Sequence, residues 1–100
     1  MTKPPRVRIP EIQLQDKFNR NEGGYPGQIE TLRKRCVYDE LASSKSKQIP
    51  GTRSLVHQYY NASGERVMST RCFLKPDGTL GGSGKIDSKE LLVAGIMYFK

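Results

Sequence analysis

The sequence predicts a small α+β domain: a three-stranded antiparallel meander with a short C-terminal strand, packed on one amphipathic helix, with a second short capped helix and an extended N-terminal arm. Three observations carry that expectation. Tyr25, Ile29, Leu32, Cys36, Val37 and Leu41 recur at helical spacing. Asn61-Ala62-Ser63-Gly64 and Lys75-Pro76-Asp77-Gly78 carry the residues of tight turns between runs rich in Val, Tyr, Thr and Phe. Asp87-Ser88-Lys89-Glu90 has the form of a helix capping box.

Taken in order, residues 1–24 contain Pro4, Pro5 and Pro10 and the pair Gly23-Gly24, and their apolar residues follow no sustained period, which predicts a basic extended arm. Residues 25–100 form the folded part. The helix is expected over 27–42, with Pro26 in its first turn, Glu30 and Lys34 at i and i+4, and Ser43, Ser44 and Ser46 ending it. Ser54 to Tyr60 and Glu65 to Leu74 form the hairpin, and Thr79 onward turns back as a third strand that Gly81, Gly82 and Gly84 weaken. The capping box opens a helix over 88–94, Gly95 terminates it in left-handed conformation, and Ile96 to Phe99 follows as a strand.

If Asn61 pairs with Glu65, His57 stands opposite Ser69, Leu55 opposite Arg71 and Tyr59 opposite Val67. One face then shows His57, Tyr59, Ser69, Arg71 and Phe73. The other, with Val56, Tyr60, Met68, Cys72 and Leu74, receives the helix through Ile29, Leu32 and Cys36. A slip of one residue exchanges the relative faces.

A chain of 100 residues holds one modest core. Its 17 Lys and Arg against 10 Asp and Glu give +7, spread as +2, +3 and +2 over residues 1–24, 25–53 and 54–100. Such a field attracts polyanions: nucleic acid first, an acidic protein partner second. The leading expectation is therefore a non-enzymatic binding module that contacts RNA or DNA through phosphates. Arg33, Lys34, Arg35, Lys45 and Lys47 form the densest basic run, with Lys3, Arg6 and Arg8 added by the arm. On the sheet face, Tyr59 and Phe73 stack on bases, Arg71 pairs a phosphate and His57 reaches a base edge. The same residues also suit an ordinary solvated sheet face and a solubilising basic helix.

Two alternatives remain from other classes. One is a protein-interaction subunit that docks a partner through the arm or an open sheet edge. The other is a metal-free endoribonuclease using His57, Tyr59 and Arg71.

Other chemistries fail on spacing. Cys36, Cys72 and His57 are too few and too dispersed for a structural zinc site, so no metal and no cofactor are expected. Gly81-Gly82-Ser83-Gly84-Lys85 lacks both the first glycine and the Ser or Thr of a Walker loop, since Thr79 and Ile86 stand there. No secretory signal and no stretch of roughly 20 apolar residues is evident, which predicts a cytoplasmic chain with free thiols and no membrane contact.

Overall fold

A computed structural model describes residues 3–42, 48–81 and 86–100. They form one six-stranded mixed sheet and one α-helix, an α+β arrangement in which the sheet dominates. In chain order the elements are β1 (Arg6–Arg8), α1 (Glu11–Asn19), a 3-10 turn (Pro26–Gln28), β2 (Arg33–Leu41), β3 (Arg53–Tyr60), β4 (Arg66–Leu74), β5 (Asp87–Val93) and β6 (Ile96–Phe99). The sheet order is β1-β6-β5-β4-β3-β2. Strands β2 to β6 thus form a five-stranded antiparallel meander, and β1 adds to β6 in parallel.

The expected arm is not extended throughout. Pro4, Pro5 and Pro10 confine β1 to three residues at the sheet edge, and from Glu11 the chain turns into α1. This helix presents only Leu14 and Phe18 to the core, too few turns to reveal a period, yet Leu14 is fully buried.

The helix expected over 27–42 is a single 3-10 turn followed by strand β2. Ile29 and Leu32 do pack on the core, but the stripe ends there: Cys36, Val37 and Leu41 are exposed, as is every residue of β2. Backbone pairing along the whole of β3 holds this strand in place, with Val37 as an extra, bulged residue between the Cys36 and Tyr38 pairings.

The helix expected over 88–94 is likewise strand β5, paired on one side with β4 and on the other with β6. Gly95 terminates no helix. Ala94 (φ 50°) and Gly95 (φ 81°) are the two central residues of a tight hairpin, and positive φ at both matches the right-handed twist of the flanking strands.

The hairpin of β3 and β4 forms where its turn residues require. Asn61 N–H donates to the Glu65 carbonyl, and Asn61 Oδ1 accepts from the amides of Ser63 and Glu65. Beyond the turn the register differs by one residue from the expected one, because Val67 is an extra residue in β4. His57 pairs with Thr70, Leu55 with Cys72 and Tyr59 with Met68. Lys75 to Gly78 also turns, and among the described residues the returning chain forms no strand but an isolated bridge of Leu80 with Leu74, while β5 takes the place expected for a strand at Thr79.

The core is small and one-sided. Leu14, Tyr59, Val67, Met68 and Leu91 are its buried members, and Ile9, Phe18, Tyr25, Ile29, Leu32, Val93 and Tyr98 close around them. Gln15 ties α1 to the sheet, accepting from the Ser88 amide and donating to the Ile86 carbonyl.

Candidate nucleic-acid interface

The pairing pattern assigns each strand residue to a face. Met68, Leu91, Tyr59 and Tyr98 point toward α1. The opposite face, on which α1 does not lie, carries Arg6 and Arg8 from β1, Phe99 and Met97 from β6, Glu90 from β5, Arg66, Arg71 and Phe73 from β4, Tyr60 from β3, and Arg33, Arg35 and Tyr38 from β2. The cations that the strand pairing assigns to this face are arginines; Lys34 points the other way.

The guanidinium groups lie against the rings between them. Arg6 and Arg8 both approach Phe99, at 4.6 and 5.2 Å from its centroid. Arg71 covers Phe73 at 5.3 Å, and Arg33 covers Tyr60 at 5.6 Å. A guanidinium over a ring offers planar, in-plane donors that a lysine ammonium does not.

Three carboxylates, Glu90 and Asp87 from β5 and Glu40 from β2, share this face with the six arginines and leave it positive. Glu90 is shared by Arg6 (2.7 Å) and Arg66 (3.4 Å), so one acid answers two bases. Among the described residues, Arg8, Arg33 and Arg35 have no acidic partner within ion-pair distance. Beside Arg6 and Arg66, Pro4, Pro5, Leu92 and Met97 line a cleft of mixed character, with Lys3 and Glu65 also in its wall.

The residues singled out in the sequence divide accordingly. Arg33, Arg35, Arg71 and Phe73 share the arginine face. His57 and Lys34 stand on the α1 side, and Tyr59 is a core residue only 4% exposed. Burial raises the pKa of Tyr59 and, together with the charge of Lys34, lowers that of His57. His57 and Tyr59 are thus separated by the thickness of the sheet from Arg71, and the set proposed for RNA cleavage does not converge. Lys45, Lys47 and the stretch 82–85 of the glycine loop lie outside the described residues. Cys36 and Cys72 are free thiols, and burial raises the pKa of Cys72.

Arg66, Tyr60, Tyr38 and Phe99 complete the face without having been singled out. A signal for part of it existed: Arg6-x-Arg8, Arg33-x-Arg35 and Arg71-x-Phe73 all repeat at the strand period of two.

No protein-family model matches this chain, and no curated protein or solved structure matches it significantly. Among the described residues no helix is long and apolar enough to cross a membrane.

Proposed function

We propose that the chain is a non-enzymatic nucleic-acid-binding module that holds single-stranded RNA or DNA on its arginine face. The observation that carries this reading is the alternation of guanidinium groups and aromatic rings across β1, β6, β4, β3 and β2 on the side of the sheet away from α1. Phosphates meet the arginines, while unstacked bases lie on guanidinium planes and on exposed ring area; a sheet this wide fits a splayed single strand better than a duplex groove. Arg33, Arg35, Arg71, Phe73, Arg8 and Phe99 are the central contacts, and Arg6 and Arg66 flank the cleft that can receive one base.

Fluorescence anisotropy with short labelled single-stranded RNA, single-stranded DNA and duplex DNA, at about 50 and 200 mM salt, tests it. Binding of single strands that weakens steeply with salt, and that falls further in an Arg33→Ala, Arg71→Ala double variant, supports the reading. Absence of binding to all three at low salt overturns it.

A further inference from the structure

Strand β2 is an outer edge of the sheet, nine residues long and exposed throughout. Three large hydrophobic side chains stand out on it, Val37 (43% exposed), Tyr38 (43%) and Leu41 (65%). Natural edges are blunted by shortness, proline, cover, charge or a bulge; among the described residues β2 is neither short, proline-interrupted nor covered, and its protections are its charges and the bulge at Val37. Its charges are also segregated, with Arg33, Lys34 and Arg35 at one end and, at the other, Glu40 and Asp39, the latter ion-paired with Arg53 of the same chain.

The bulge at Val37 gives that segregation a geometric meaning. Because it interrupts the alternation, Arg33, Arg35, Tyr38 and Glu40 share the arginine face, while Lys34, Cys36, Asp39 and Leu41 share the other. We propose that a second copy of this chain pairs along β2, antiparallel, with the two-fold axis between Cys36 and Val37. In that register Arg33 faces Glu40 of the second copy, Lys34 faces its Asp39 and Arg35 faces its Tyr38. Each pair falls on one face of a continuous sheet, whereas unbroken alternation would put Arg33 and Glu40 on opposite faces.

Parallel pairing is disfavoured, because it sets the basic ends side by side. Growth beyond two copies is also blocked: the remaining edge, β1, is three residues long with Pro4, Pro5 and Pro10 beside it, so the assembly closes as a dimer. The arginine faces of the two copies then run on from one to the other, with Arg33 and Arg35 of both at the centre. The dimer does not depend on nucleic acid, and its test is made without any.

Analytical ultracentrifugation of the full chain is expected to give twice the 11.3 kDa of one copy. An Arg33→Glu, Lys34→Glu variant and an Asp39→Lys, Glu40→Lys variant should each sediment as monomers and form a dimer when mixed. A short bismaleimide should join two wild-type copies, and Cys36→Ser should abolish the link whereas Cys72→Ser should not. A monomeric wild type at submillimolar concentration overturns the proposal, as does a dimer that survives in both charge-reversed variants. If those variants do not fold, by circular dichroism, the crosslink decides: linkage that persists in Cys36→Ser, or no linkage at all, overturns it.

Discussion

Arg71 and Ser54 meet across β4 and β3: Nε and one Nη of the guanidinium both donate to Ser54 Oγ, at 3.2 and 3.1 Å. Ser54 is almost fully buried, so this contact anchors Arg71 over Phe73. Arg71→Ala should weaken single-strand binding and lower the slope of log affinity against log salt by about 0.7, the share of one phosphate contact. Arg71→Lys should keep the slope and still lose affinity, because the planar fork is gone while the charge remains. Anisotropy titrations over a salt series separate the two variants.

Arg6 and Arg8 both lie over the Phe99 ring, which on the proposed function would contribute stacking rather than charge. Phe99→Ala should cost about 1–3 kcal/mol of binding for one stacked base, with the salt slope unchanged. Titration of homopolymeric single strands at fixed salt, repeated at a second salt concentration, checks both statements.

Gly23 and Gly64 have nearly the same left-handed backbone, with φ of 80° and 81°, in different surroundings. A Cβ at Gly64 meets open space, so Gly64→Ala should cost about 1–2 kcal/mol from conformation alone. At Gly23 the same atom would run into the Leu92 carbonyl oxygen, part of the sheet backbone. Gly23→Ala should therefore be clearly the more destabilising of the two in urea denaturation monitored by circular dichroism.

Burial and the charge of Lys34 lower the pKa of His57 below its ordinary 6.5, against a smaller opposing pull from Asp39. Below that value the unfolded chain takes up a proton that the folded one resists, so stability present above pH 6.5 is lost as the pH falls through the lowered pKa. His57→Gln should flatten this part of the stability profile. Urea midpoints measured at intervals from neutral to mildly acid pH would show it, and an unchanged slope in the variant would refute the assignment.

Leu14 is fully buried among Met68, Leu91 and Tyr59. Leu14→Ala should cost about 2–5 kcal/mol, a large share of what a domain this size possesses. Deleting residues 1–22 removes β1 and α1 together, and the expected result is loss of the cooperative unfolding transition. Calorimetry on both variants reads this directly.

The local chemistry of the turns and the basic surplus are written in short stretches of the chain. Asn61 to Gly64 closes its hairpin because an Asn acceptor and a Gly at positive φ satisfy the turn with no help from distant residues. The surplus of basic residues and the Arg-x-Arg doublets at strand period are likewise properties of the chain alone. Tertiary structure decided what residues 33–41 and 87–93 became. Apolar residues at mixed spacings over 25–41 and a capping box at 87–90 each fit a helix in isolation, but β3 and β4 each had an edge of unpaired amides and carbonyls to satisfy, and the strands that did so gained a ladder of bonds. It also decided which side chains share the site. The single extra residue at Val67 shifts the pairing of β3 and β4 by one, placing His57 and Tyr59 on the α1 side and Arg71 and Phe73 on the arginine face. A bulge of that kind is set by how β4 must twist between its two neighbours, a property of the assembled sheet that no short stretch of sequence contains.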